Sequence, residues 1–247
     1  MDIDQERFGA GALPIWVHHE HQARWIYASK YVADAIIADC ACGMGLGTHI
    51  FANSGGRHVY AFDLSADAVN ATKLRCSTQK NVTVAQSNGL SLPLESASID
   101  VFVSFETIEH IDDDSGFLSE VVRVLSPNGT FICSTPNRTI TMPGKQIMDK
   151  PWNPFHVREY NAMEFMSLLS TKFADVSLLG QNPTPYWRMK LLEKIGSFMP
   201  GHVGGRLNSA LKIPRFLYDK LEHHSVVEIP SGMVCEYIVA VCKAPKV

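Results

Sequence analysis

Five short apolar runs, separated by helical stretches, constrain this chain's fold more than any other feature. They are Ala35–Ala41, Val59–Asp63, Asn81–Ala85, Ile99–Phe105 and Thr130–Ser134. The fourth is nearly continuous in apolar residues, as befits a strand covered on both faces. Helical stretches lie between and around them. His18–Val32 has no Gly or Pro, Leu64–Cys76 is opened by Ser65, and the amphipathic Phe117–Leu125 is stopped by Ser126-Pro-Asn-Gly129. A helix over Ala162–Thr171 and strands over Ala174–Leu179 and Cys235–Cys242 complete the set. Strands alternating with helices predict an α/β fold, a mainly parallel sheet with helices on both faces. The rule lapses at the end, where about 55 residues holding prolines, glycines and one helical stretch separate the last two strands.

Asp39-x-x-x-Gly43-x-Gly45-x-Gly47 closes the first strand and opens a helix, the context that gives a glycine motif meaning. Glycines there let the backbone turn sharply and approach a ligand. Alone the motif is weak, because dinucleotide enzymes use a similar one. Asp63 sharpens it, since an acid ending the second strand suits a ribose diol. Asn88-Gly89-Leu90, a polar turn after the third strand, suits an adenine edge.

From about residue 36 to 180 the chain resembles class I methyltransferases, especially the small-molecule group. The likeness extends to Leu92-Pro93-Leu94, Ser98-Ile-Asp100, Phe105-Glu-Thr-Ile-Glu-His110, Arg123-Val-Leu-Ser-Pro-Asn-Gly129 and Ser134-Thr-Pro-Asn137. It implies a Rossmann-like sheet of seven mostly parallel strands, the last antiparallel, and S-adenosyl-L-methionine as cofactor, with S-adenosyl-L-homocysteine as product. The glycine motif would hold the methionine part through Asp39, Gly43, Gly45 and Gly47, with Cys40 beside them. Asp63 and Leu64 would border the ribose, and Asn88, Gly89 and Leu90 the adenine. The family usually has Asp where Asn88 stands. The resemblance divides the chain into an N-terminal helical lid (1–34), a cofactor-binding core (35–182), an acceptor-binding insertion (183–234) and a last core strand (235–247).

Methyl transfer from a sulfonium is an in-line displacement, so positioning supplies much of the catalysis. The end of the fourth strand, with the Phe105 aromatic face, suits the cationic sulfur. Glu109-His110 is the expected acid–base pair: His110 as general base, Glu109 orienting it or joining a divalent metal. The alternative is that His110 only caps a short helix. His156, Arg158 and Tyr160, in Asn153-Pro-Phe-His-Val-Arg-Glu-Tyr160, are candidates to touch the acceptor, or mark a solvated helix entry. His18 and His21 share a helix face but make no tetrahedral site, so no metal site is expected. Arg24 or Tyr27 from that helix is expected to reach toward the cofactor carboxylate.

In the insertion, Trp187, Leu191, Ile195, Phe198 and Met199 recur at helical spacing, and Trp187 is counted with the acceptor residues. Between Tyr186 and Leu221, seven Lys or Arg stand against two acids, a local +5 in a chain of net charge −3. Such a segment would select an acidic or phosphate-bearing acceptor, touch a membrane surface, or pack its apolar face on the sheet with the basic face solvated.

The net acidity argues against a nucleic-acid binder, and a nucleic-acid methyltransferase is disfavoured on the same ground. No apolar run approaches a bilayer span, and from the acidic, polar MDIDQERFGAG stretch no signal peptide is expected. Six cysteines without metal or disulfide spacing fit a reducing cytoplasm. The expected partner is a small-molecule acceptor, most of all a hydroxyl of a sugar or secondary metabolite. Nitrogen and carbon acceptors, homodimerisation and a cofactor-binding protein without turnover all stay open. The rival is a short-chain oxidoreductase using NAD(P) with Tyr186-x-x-x-Lys190 as its catalytic pair.

Overall fold

A computed structural model describes residues 15–196 and 221–246. Seven strands form one sheet in the order β3-β2-β1-β4-β5-β7-β6. They are β1 (Ile36–Cys40), β2 (His58–Asp63), β3 (Val82–Gln86), β4 (Ile99–Phe105), β5 (Leu125–Pro136), β6 (Phe173–Pro185) and β7 (Met233–Pro245). The first five are parallel, and β7 runs antiparallel between β5 and β6. Strand order reverses between β1 and β4, which opens a crevice at their carboxyl ends.

Successive residues of a strand face opposite sides, and β4 uses both. Phe102 packs with Phe117, Leu118 and Val121 of α4 (Asp114–Val124) and with Phe165 and Leu169 of α6 (Ala162–Ser170). Val101 and Val103 point the other way, to Phe51 of α2 (Leu46–Asn53) and Ala28 of α1 (Ile15–Ala28). The ring of Phe102 meets Phe117 and Phe131 edge-on at 6.3 and 5.6 Å. Ser65 caps α3 (Ala66–Arg75) by accepting from Ala68 N, and Asp113 caps α4 by accepting from Gly116 N.

Several boundaries differ from the sequence expectation. α1 starts earlier and ends in a 3-10 turn, Ser29–Tyr31. Ser126-Pro-Asn-Gly129 is no loop but the first part of β5: Ile99 pairs with Leu125 and Val101 with Thr130, so a bulge absorbs the turn residues. β6 and β7 are 13 residues each and pair along most of their length. The helical stretch after β6 is α7 (Tyr186–Gly196), and the two residues of its expected apolar face whose side chains are described are exposed. Trp187 is 66% and Leu191 52% exposed, while Met189, on the opposite side, is buried. Phe198, Met199 and the basic residues from 206 to 220 lie outside the described residues.

Candidate active site

The crevice holds a cavity of about 750 Å³, enough for a nucleoside-sized ligand with a small partner. Its floor is the loops after β1, β2, β3 and β4. Two non-glycine residues there take positive φ, Ala41 (61°) after β1 and Glu106 (51°) after β4. Such strained backbone persists where surroundings enforce it, commonly at functional sites.

At one end the glycine loop is tied to its neighbours. Asp63 accepts from the amides of Gly43 and Ser65, each at 2.9 Å. Thr72 of α3 (Ala66–Arg75) donates to the Gly43 carbonyl at 2.9 Å. Asp39 accepts from the Thr48 hydroxyl at 2.6 Å. Burial, opposed by that bond and aided by the Asp63 charge, raises the Asp39 carboxyl to about 7. Asn88 turns its side-chain carbonyl to the Leu90 amide at 3.0 Å, which shapes the turn after β3. Gly89 lies so near Cys40 and Phe117 that a Cβ would stand 3.2 Å from each. Asp39, Cys40, Gly43, Asp63, Leu64, Asn88, Gly89 and Phe105 all line the cavity.

At the other end, a 3-10 turn after β4 presents Glu109 and His110. Glu109 is fully buried: Oε2 accepts from Thr135 at 3.1 Å, while Oε1 has no hydrogen-bond partner. Burial, reinforced by the Glu106 charge, holds its carboxyl well above the usual range. His110 Nδ1 lies 3.0 Å from the Phe155 carbonyl. A carbonyl only accepts, so Nδ1 carries the proton and Nε2 is the basic atom. The His156 ring stands edge-on to His110 at 4.8 Å, its Nδ1 2.6 Å from Glu159 Oε1. Glu159 also accepts from the Thr141 hydroxyl. His156 thus joins Glu109 and His110 on the cavity wall.

Other expected contact residues lie elsewhere, each for a visible reason. Arg158 pairs with Asp114 and donates to the Asp112 carbonyl, and Tyr160 donates to Asp114 at 2.6 Å. Both staple their loop to the start of α4. Tyr27 meets Tyr31 at 3.2 Å, away from the cavity. Arg24 is fully buried, donating to Gln181 at 2.6 Å with its guanidinium 4.6 Å from the Tyr237 ring centre. Leu90, Gly45 and Gly47 are not on the wall. A Cβ on Gly47 would stand 2.6 Å from Trp25 Nε1, so this glycine seats the lid helix. Exposed Trp187 and the Tyr186–Lys190 pair, where Nζ lies 5.4 Å from the ring centre, do not line the cavity either.

α1 faces the cavity with Trp16, Val17, His21 and Trp25. Val17, His21 and Trp25 recur every four residues, a one-face signal the sequence carried. Burial lowers His21 well below the usual imidazole value. Glu236 and Tyr237 enter from β7, and Tyr237 donates to Glu20 at 3.1 Å. Six carboxylates line the cavity (Asp39, Asp63, Glu106, Glu109, Glu159 and Glu236), and no described lining residue is Lys or Arg. Burial holds Asp39 and Glu109 toward their neutral forms, and whichever of the six are ionised attract cations and repel an anionic acceptor.

A sheet of this order, with a glycine loop after β1 and an acid ending β2, defines the Rossmann-like class I methyltransferase scaffold. Comparison with known proteins agrees. Residues 38–133 match the model of a methyltransferase domain. A probable S-adenosylmethionine-dependent methyltransferase of Mycolicibacterium smegmatis is 41% identical over 135 residues, 55% of this chain and 50% of the relative. A ubiquinone biosynthesis O-methyltransferase of Paraburkholderia phytofirmans is 29% identical over 120 residues, 47% of this chain and 51% of that protein. Among solved structures, geranyl diphosphate C-methyltransferase from Streptomyces coelicolor, bound to S-adenosyl-L-homocysteine, superposes with a TM-score of 0.58 at 16% identity, covering 93% of this chain and 83% of that one. The chain spans about half the length of the curated relatives it matches. Over the matched stretch it is similar to S-adenosylmethionine-dependent methyltransferases. Among the described residues, no helix is long and apolar enough to cross a membrane.

Proposed function

We propose that this protein transfers the methyl group of S-adenosylmethionine to a hydroxyl of a small molecule, a sugar or secondary metabolite, with His110 as general base. The single observation behind the base is the Phe155 carbonyl on Nδ1, which places the proton there and makes Nε2 the basic atom of a ring on the cavity wall, opposite the cofactor loops. Asp63 would accept the ribose hydroxyls, Asp39 would face the amino group, and Asn88 and Gly89 would frame the adenine. Phe105 and the surrounding carboxylates suit a sulfonium. S-adenosylmethionine supplies an activated methyl and leaves as the thioether. The proton of the acceptor hydroxyl passes to His110 Nε2 as the carbon–oxygen bond forms. The same acidic wall favours a second reading, an amine acceptor that His110 deprotonates before transfer. It disfavours the phosphate-bearing acceptor that the basic insertion suggested.

Two variants test this reading. Asp63→Ala removes a cavity carboxylate and the acceptor of two loop amides, so S-adenosylhomocysteine affinity should fall by about 10- to 100-fold. Calorimetric titration measures that, and an unchanged affinity would remove Asp63 from the site. Oxidoreductase chemistry would surface in a parallel titration as binding of NADP instead. With an acceptor in hand, His110→Ala should lower kcat by about 10²- to 10⁴-fold while leaving S-adenosylhomocysteine affinity intact. Undiminished turnover would rule His110 out as the base.

A further inference from the structure

Glu109, His110 and His156 each offer one ligand atom, and the three atoms lie within 4.8 Å of one another. We propose that they form a binding site for one first-row divalent cation, zinc or manganese, whose open positions take the acceptor's oxygen. The idea deepens the reading above, since it rests on this end of the cavity being where the acceptor sits.

Three observations carry it. Glu109 is fully buried on the cavity wall with Oε1 lacking any hydrogen-bond partner. A buried carboxylate oxygen without a donor is costly unless something cationic meets it. Secondly, both imidazoles are held as metal-binding histidines are held. His110 Nδ1 is on the Phe155 carbonyl at 3.0 Å and His156 Nδ1 on the Glu159 carboxylate at 2.6 Å. Such partners fix the tautomer and ring orientation and leave Nε2 as the ligating atom. Glu159 is itself held by the Thr141 hydroxyl, a further layer of support. Thirdly, the chemistry of the set is selective. Two imidazoles and one carboxylate suit zinc, manganese or iron better than magnesium or calcium, which prefer oxygen.

Loading needs two local changes. His156 Nε2 gives up the Asn153 side-chain amide, now 2.9 Å away. The cluster also tightens, since ligands about 2.1 Å from a shared tetrahedral ion stand about 3.4 Å apart. Three protein ligands with a vacant position is the pattern of reactive sites rather than purely structural ones. Loading would revise one part of that reading, because a His110 that ligates the ion through Nε2 cannot also take the acceptor's proton there. A cation held by these three residues would supply Lewis acidity to the acceptor hydroxyl, whose proton would then pass to solvent.

The test is calorimetric titration of the chelator-treated full chain with zinc sulfate and, separately, manganese chloride. S-adenosylhomocysteine binding is measured on the same preparation. One ion per chain is expected, with affinity falling at least about 10- to 100-fold in Glu109→Gln and in His156→Gln. Glu109→Gln keeps the size of the side chain and an acceptor for Thr135, so its fold should survive. Binding of neither ion to a preparation that binds S-adenosylhomocysteine overturns the cation site and leaves the methyltransferase reading standing. Equal ion binding by both variants overturns it too, by locating the ion elsewhere. Ion binding lost in the variants, in a chain that ignores S-adenosylhomocysteine, upholds the cation site and defeats the methyltransferase reading.

Discussion

Gly45→Val should abolish measurable S-adenosylhomocysteine binding and destabilise the fold by about 2–6 kcal/mol, combining backbone strain with overpacking. Gly45 sits at φ 77° as the residue leading into α2, a conformation that a β-branched side chain tolerates poorly. Its Cβ would also stand 2.8 Å from Thr72 Cγ2 and Oγ1 and 2.9 Å from Thr72 Cα. Backbone cannot rotate aside, so α3 must move. Thr72 is the residue whose hydroxyl ties down the Gly43 carbonyl. The clash therefore releases the loop that also carries the Asp63-bound Gly43 amide. Gly43→Ala is the informative control. It has a positive φ of 53° but nothing within 4 Å of its Cβ, so it should cost only about 1–2 kcal/mol. Denaturant midpoints with calorimetry separate the two. A Gly45→Val protein that binds within a few-fold of the parent would refute the argument from close approach.

The core sheet was legible because its strands are buried on both faces and carry their own signature. β4 matches its apolar run at both ends, and Asp39 and Asp63 fall at the ends of their strands as the spacing requires. What stayed hidden depends on partners distant in the chain. Arg24 looked able to reach a ligand, yet Gln181, 157 positions away, claims it. Arg158 and Tyr160 were equally plausible as acceptor contacts until Asp114 appeared beside them. Ser126-Pro-Asn-Gly129 has the composition of a turn, and only the pairing of β5 with β4 accommodates it as a bulge. His110 and His156 were each visible as candidates. Their edge-on meeting, 46 residues apart, belongs to the loop that returns Phe155 to the end of β4. The lid erred by a rotation: Tyr27 was favoured, whereas the Val17, His21 and Trp25 face turns inward.

Asp39→Asn should strengthen the fold while weakening the ligand, because the native carboxylate is held at the expense of stability. Burial raises its carboxyl to about 7 in the folded chain, against about 4 when unfolded. Between those values the native state holds the extra proton, so stability falls as pH rises from about 4 and has lost its full increment above about 7. At about 1.36 kcal/mol per pH unit the loss approaches about 4 kcal/mol, an upper figure because the group borders the cavity. Asn cannot titrate and still accepts from Thr48. The variant should therefore melt several degrees higher at pH 8, with the advantage shrinking steadily toward pH 5. An advantage independent of pH would mean that packing, not ionisation, is responsible. The opposite effect is expected for the ligand. An ammonium group loses its ionised acceptor, so S-adenosylhomocysteine affinity should drop by about 10- to 100-fold at pH 8. In the parent, the same coupling makes affinity climb as pH rises through about 7, with proton release on binding below that value. Titrations in buffers of different ionisation enthalpy read that proton directly. If the parent releases none, and Asp39→Asn binds as well as the parent, the amino group lies elsewhere in the cavity and Asp39 serves the fold alone.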